Sequence, residues 1–311
     1  MVQILEFEKP VALLDSEIAL LANDPVRKAD LARAEARRQQ LLADLYGRLT
    51  PWQKTQVARH PDRPKFLSIV DQLFEDWLPL AGDRAFGDDV AILGGPARFR
   101  GRAVMLIGHE KGIDTESRIK RNFGMAKPEG YRKAARLIRM ASRFGLPIVT
   151  LVDTSGAYPG IDAEERGQAE AIARSTEACL EAEVPLISVI IGEGGSGGAV
   201  AIAAGNRVLM LEHAIYGVIS PEGCASILWR DSGKAADAAT AMRVSAQELL
   251  ALNVIDSIID EPVGGAHRAP EAAIERIGDA IEQALTDLQP LSGETLKAGR
   301  RQRFLAFARA A

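Results

Sequence analysis

Five glycines crowd into seven residues at Gly192, Gly194, Gly195, Gly197 and Gly198, within the stretch IGEGGSGGA at 191–199. The apolar run LISVII precedes them and AVAIAA follows. Each glycine costs up to about 1 kcal/mol of chain entropy inside regular structure, so the density needs a chemical reason. Three chemistries want bare backbone between a strand and a helix: a P-loop, a dinucleotide turn, and an oxyanion site made of helix-start N–H groups. The P-loop fails on residue type. Gly192 and Gly197 have its spacing, but Gly198 and Ala199 stand where a lysine and a hydroxyl are required. The dinucleotide fingerprint is literally present as Gly192-x-Gly194-x-x-Gly197, with Glu212 about twenty residues on, where a ribose-binding carboxylate belongs. Against it stand the short following helix, which ends near Gly205, and its late place after two earlier β-α elements. In the third reading Gly197 and Gly198 offer uncapped N–H donors at the positive end of a helix, and glycine lets a substrate approach closely.

The other reactive side chains are sparse. His60, His109, His213 and His267 have no metal-ligand spacing. Ser196 lies in GGSGG and not in a Gly-x-Ser-x-Gly elbow. His109, in IGHEKG after a strand, suits a site role and a structural one equally. Glu193 reads as a loop hydrogen-bond acceptor more readily than as a base. A second glycine turn, DTSGAYPG at 153–160, has the same strand-before, helix-after context. Consecutive parallel β-α units bring such turns side by side at the C-terminal edge of a sheet, so both are expected to face one pocket.

Those turns need positioning elements. Residues 11–48 read as a helical pair, with Val11, Leu14, Ile18 and Leu21 on one stripe and Leu31, Ala34, Leu41, Leu42 and Leu45 on the other. Asp24-Pro25 starts the second helix and Gly47 stops it. Residues 51–90 read as mostly helical, broken at HPDRP, and AILGGPARFRGRAVMLIGHEKG as two strands joined by a turn. PEGYRKAARLIRMASRFG is a helix burying Tyr131, Ala134, Ile138 and Ala141 and stopped by Gly145. Then come the strand LPIVTLVD, a helix over 163–183, the strand VPLISVII, a short helix GAVAIAAG and the strand NRVLML. Such alternation argues for parallel β-α units under covering helices. Ser220 caps SPEGCASILW, Ser245 and Glu248 form a capping box, Asn253 ends that helix, and VIDSII is a last strand. An amphipathic helix and a basic one close the chain. The division is a helical extension over 1–90, a core over 91–290 and a C-terminal helix over 291–311, forming one domain overall.

Composition is that of a soluble globular chain: 311 residues, 47% hydrophobic and 26% charged. A net charge of −4 gives no general attraction to nucleic acid or an anionic membrane. The N-terminus lacks a signal peptide's basic region, and no apolar run is long enough to span a bilayer. Cys179 and Cys224 are too far apart for a zinc ribbon and fit a reducing, cytoplasmic setting.

In order along the chain, ARHPDRP, GDRAFGDD, IGHEKG, RNFGMAKPEGYRKAARL, DTSGAYPG, AEERGQAEAIAR, VIIGEGGSGGA, YGVISPEGCASILW, VIDSII and GGAHR resemble the carboxyltransferase alpha-subunit family of bacterial and plastid acetyl-CoA carboxylases with separate subunits. The resemblance covers nearly the whole chain. It implies an α/β crotonase-like spiral of ββα units with an N-terminal helical extension. It also implies an enzyme of fatty acid biosynthesis that moves a carboxyl group from carboxybiotin, on a biotin carboxyl carrier protein, to acetyl-CoA, giving malonyl-CoA. The family works as an α2β2 heterotetramer alongside biotin carboxylase, with zinc on the beta partner only and no cofactor held tightly by alpha. By resemblance, the N–H groups of Gly197 and Gly198 hold the biotin urea oxygen, and beta glycines hold the thioester oxygen. Biotin then serves as its own base. Gly156, Ala157, Tyr158, Gly194, Gly195 and Ser196 wall the biotin pocket. Ser155 departs from the family's more frequent proline, which frees an N–H and loosens the turn; activity is expected to survive.

Other classes compete. The same chemistry on propionyl-CoA is a near variant. A stand-alone crotonase-type hydratase or isomerase needs a glutamate base. A nucleic-acid-binding subunit would use RKADLARAEARR or GRRQR, against the net negative charge.

Overall fold

The structure is a computed structural model that describes residues 3–307. Its sheet has eight strands: β1 (Phe74–Glu75), β2 (Ile92–Phe99), β3 (Arg102–His109), β4 (Ile148–Thr154), β5 (Leu186–Gly195), β6 (Arg207–Leu211), β7 (Ile215–Gly217) and β8 (Ser257–Ile259). Arg100 and Gly101 have φ of 45° and 79°, the two positive values of a type I′ turn, and fold β2 back onto β3 as the expected hairpin. From β3 onward the pairing is parallel, in the order β1-β2-β3-β4-β5-β6-β8, with β7 also on β5. Every residue of β4 and of β5 is buried, the signature of parallel strands covered on both faces. The order follows the chain without reversing. A doubly wound nucleotide fold binds its ligand where the order reverses, so the dinucleotide reading of the glycines meets no such crevice here.

β5 changes partner along its length. Residues 187–190 pair with β6, and 193–195 pair with β7. Gly192, Glu193, Gly194 and Gly195 therefore belong to the strand, where the sequence reading has a loop. Three other boundaries differ from expectation. Gly167, at φ 80°, splits the helix expected over 163–183 into Ile161–Glu165 and Gln168–Glu181. After helices Pro51–Ala58 and Phe66–Leu73 the chain runs into β1 and then irregular backbone to residue 90, not helix. Gly47 caps its helix in right-handed geometry, without the left-handed turn expected of it. Gly145 and Asn253 do take left-handed values, 67° and 58°, as helix stops. Ser220 caps helix Pro221–Trp229 by accepting from the Gly223 N–H.

One apolar cluster runs from Phe66 to Leu296 around the sheet, and a smaller one joins Leu5, Val11, Leu42, Tyr46 and Val57 under the N-terminal helices. Those helices, Lys9–Ala22 and Lys28–Tyr46, are fastened to the body through Glu8. Its carboxylate accepts from Tyr46 Oη at 2.9 Å and from Arg268 Nε at 3.0 Å. The basic C-terminal helix Gly293–Phe307 buries Arg300 completely. Its guanidinium donates to the carbonyls of Cys179 (2.6 Å), Ala182 (2.7 Å) and Val184 (3.1 Å). It thus closes the negative end of helix Gln168–Glu181 and is withdrawn from any surface stripe.

Candidate active site

β5 ends at Gly195 and helix Ser196–Ala203 starts at the next residue, so strand becomes helix with no intervening loop. Ser196 makes the bend at φ 53°, a left-handed value of the kind that concentrates at functional turns when a non-glycine residue holds it. The N-cap is Gly195, which has no side chain to offer, and no side-chain cap bond is made. The first-turn N–H groups of Ser196, Gly197 and Gly198 thus point out of the helix without intrahelical acceptors. Ser196 is exposed, Gly197 half-buried and Gly198 buried. Donors so placed at the positive end of a helix stabilise an oxyanion.

The sister turn lies directly on this helix start. A Cβ on Gly198 would stand 2.7 Å from the Gly156 carbonyl carbon and 2.8 Å from the Ala157 nitrogen. On Gly195 it would stand 2.3 Å from the Ser155 carbonyl. Only glycine permits this backbone-on-backbone approach. The two turns that spacing places together are together. Tyr158 is tied elsewhere: its N–H donates to the Ala126 carbonyl, its own carbonyl accepts from Gln168, and Lys127 lies over its ring at 4.7 Å. Gly194 sits under the Tyr216 ring, where a Cβ would meet Cδ2 at 2.8 Å.

Behind the turns lies a charged layer that the sequence reading missed. Buried Asp153 accepts the Glu193 N–H at 2.9 Å and pairs with Lys111 Nζ at 2.7 Å. Burial pushes its carboxyl up, but Lys111 and Lys65 outweigh that and hold it below the ordinary value. Glu193 accepts from Arg59 at 2.6 Å, and Arg59 also holds Glu222 at 2.6 Å. Glu193 is thus an ion-paired acceptor and not a free base. Glu212, the would-be ribose ligand, accepts the Glu261 N–H at 3.1 Å beside β8.

The structure also brings together histidines that are distant in sequence. His60 and His267 stack at 4.0 Å, and with Glu8 their ligand atoms lie within 4.8 Å of one another. The group is already committed internally. His60 bonds the Gln3 carbonyl and the Asp62 N–H, and Arg268 grips Glu8.

His109, at the end of β3, is fully buried, and neither ring nitrogen has a partner of normal hydrogen-bond geometry. Burial drives its pKa down to about 3, while Asp153 and a marginal contact with the Gly198 backbone oppose the fall. Burial likewise lowers His213 to about 4. Between these values and the ordinary 6.5 the unfolded chain binds more protons than the folded one. The stability that depends on these two rings is therefore full above about pH 6.5 and falls as pH drops toward 4. The urea midpoint is expected to fall between pH 7 and pH 5, and His109→Gln to flatten that fall. An unchanged pH dependence in the variant would show that His109 is not held neutral by burial.

On its other side the helix start opens onto an apolar cavity of about 520 Å³, where Ser196, Gly197 and Val200 face Tyr216, Val218 and Met242. Of the residues expected to wall the pocket Ser196 lines it, while Gly156, Ala157, Tyr158, Gly194 and Gly195 do not, and of the two expected donor glycines only Gly197 reaches it. Its far wall comes from three segments after β6, with no motif to announce it. Val218 is 81% exposed at its rim, and helix Pro221–Trp229 leaves Ile227 and Leu228 exposed nearby in sequence.

Comparison with known proteins agrees with this geometry. The family model described as acetyl co-enzyme A carboxylase carboxyltransferase-like matches residues 4–308. The chain is 67% identical over 315 residues to the acetyl-coenzyme A carboxylase carboxyl transferase subunit alpha of Sphingopyxis alaskensis, covering 100% of both chains. It is 62% identical to that of Zymomonas mobilis, covering 98% of this chain and 99% of that one. Among solved structures it resembles transcarboxylase 12S, with a TM-score of 0.56 and 22% identity over 68% of this chain and 41% of that one. A Pseudomonas malonate decarboxylase hetero-tetramer chain matches with a TM-score of 0.56 and 19% identity, covering 69% of this chain and 86% of that one. These solved structures share its fold, which is crotonase-like. Matched end to end in sequence, the chain belongs to the acetyl-CoA carboxylase carboxyltransferase family, among its alpha subunits.

Proposed function

We propose that the chain works as the alpha half of a transferase that carries a carboxyl group from carboxybiotin to acetyl-CoA, giving malonyl-CoA. The observation that carries this is the uncapped helix start at Ser196, wedged against the 155–157 backbone and open to an apolar cavity. A cyclic urea with an alkyl tail suits both halves of that place: donors for its oxygen, and Tyr216, Val218 and Met242 for its apolar body. Carboxybiotin supplies the carboxyl group when the biotin carboxyl carrier protein delivers it. The chain's own part is to hold the urea oxygen on the Gly197 and Gly198 N–H groups, orient the ring and exclude water. One preorganised donor of this kind is worth about 10²–10³ in rate.

Two observations favour this reading over a stand-alone hydratase. Asp153 and Glu193, the carboxylates nearest the turns in sequence, are both ion-paired. The exposed apolar side chains Val218, Ile227 and Leu228 also call for a covering partner. That partner, in this reading, is a beta-type subunit in an α2β2 assembly; it supplies most of the acetyl-CoA site and carries any zinc. Unpaired Cys179 and Cys224 suit a reducing cytoplasm, and no helix among the described residues is long and apolar enough to cross a membrane.

The test is to supply acetyl-CoA and carboxylated carrier protein to the chain with and without a beta-type subunit, and to measure malonyl-CoA. Product is expected only from the pair. Product from the chain alone, or none from the pair, overturns the proposal.

A further inference from the structure

Beside the 153–160 turn, on the side of its charged layer, lies a second cavity of about 270 Å³. Arg59, Lys65, Lys111 and Arg118 line it, with Phe123, Ser155 and one carboxylate, the Glu193 held by Arg59. Two of the four cations are committed: Arg59 to Glu193 and Glu222, Lys111 to Asp153. The other two are not. Among the described residues neither Lys65 nor Arg118 has a carboxylate at ion-pair distance. Lys65 is only 5% exposed, and its ammonium reaches just the His60 carbonyl, at 3.4 Å. Arg118 reaches only the Gly112 carbonyl, also at 3.4 Å. Burial, with the like charges of Lys111, Arg63 and Arg118, brings the Lys65 pKa down to about 8 against the pull of Asp153. A buried cation with no carboxylate in contact weakens the free protein unless something else uses it.

The rim is strained as well. Asn122, Phe123 and Gly124 have φ of 47°, 54° and 80°, three left-handed residues in succession, and Phe123 is 51% exposed. Strain of this kind collects at ligand clamps. We propose that this cavity is a phosphate-binding site, in which Lys65 and Arg118 hold the phosphate oxygens and Phe123 offers its face to whatever carries the phosphate. Two uncommitted cations match the double charge of a phosphate monoester; a carboxylate would leave one unmatched. The phosphate comes either free or on the nucleotide end of coenzyme A. The inference does not depend on carboxyl transfer.

The full chain is titrated calorimetrically at low salt with inorganic pyrophosphate, coenzyme A and dephospho-coenzyme A, and melted with and without each. Binding that weakens with salt is expected, with Lys65→Met and Arg118→Gln each lowering affinity about tenfold or more. Lys65→Met is also expected to raise the melting temperature of the anion-free protein, because it deletes an unpaired buried charge, and to erase the rise that the anion gives. A purely structural lysine would do neither. Preference for coenzyme A over its dephospho form assigns the 3′-phosphate as occupant; equal binding of pyrophosphate and both coenzymes assigns a diphosphate. No anion-dependent heat or melting shift in the unmodified chain overturns the site, and so does binding that both variants leave unchanged. No arm uses transfer activity, so failure here leaves the proposed reaction standing.

Discussion

Gly198→Ala is expected to cut malonyl-CoA formation by about 10²-fold or more, while Gly197→Ala leaves it within about tenfold. Both variants keep the backbone N–H, so the contrast isolates where the donors sit from whether they exist. At 197 a methyl group meets only the Ile172 side chain, at 3.4 Å, which can give way. At 198 it meets the Gly156–Ala157 peptide unit of the sister turn, the carbonyl carbon at 2.7 Å and the nitrogen at 2.8 Å, and backbone cannot swing aside. The helix start and the 155–157 turn must separate. Displacing a catalytic group by about 1 Å costs on the order of 10²-fold. Alanine within a helix is itself favoured over glycine by about 1 kcal/mol, so Gly197→Ala should melt no lower than the parent. The readout is kcat at saturating acetyl-CoA with the beta-type partner, beside the melting temperature of each variant. Equal activity of the two would mean that the glycine contact between the turns does not aim the donors.

That contact was half legible in the sequence. β4 and β5 announce themselves by continuous β-branched and apolar residues, and the turns after them by glycine, so their neighbourhood follows from parallel topology alone. The state of 192–195 was not legible. Glycine carries no side-chain period, and the strand continues there because 193–195 pair with Ile215–Gly217, a partner beyond the next helix and β6. Tyr216, Val218 and Met242 line the cavity for the same non-local reason. Local signals such as the Ser220 cap and the Gly145 and Asn253 stops were read because their physics closes within one turn of chain. The layer of Asp153, Lys111, Glu193 and Arg59 joins four separate segments, and a charged residue in sequence gives no sign of which opposite charge it will meet.

Asp153 is where that layer bears on the turns, and Asp153→Asn is expected to destabilise the protein by about 3 kcal/mol or more and to slow transfer with it. The carboxylate does two things at once. It takes the Glu193 N–H at 2.9 Å, fixing the end of β5 against the end of β4, and it neutralises Lys111 at 2.7 Å. Asparagine keeps an acceptor for the first task but no charge for the second. Lys111 would be left with Glu193 Oε2 at 3.8 Å, a carboxylate already held by Arg59, while Lys65 stands nearby as a further cation. Because the folded carboxyl lies below its ordinary value, its contribution is present above the unfolded pKa of about 4 and is lost as pH falls through the folded one. It is therefore complete at neutral pH, where the measurement is made. Lys111→Met alone takes from Asp153 its contacting cation and leaves it only the more distant Lys65. The double variant strands neither, so its loss should fall short of the sum of the two single losses by about 2–3 kcal/mol, read from urea unfolding at pH 7. Additive losses would mean that Asp153 and Lys111 do not act as one clamp, and the alignment of the helix start would then have to come from the glycine contact alone.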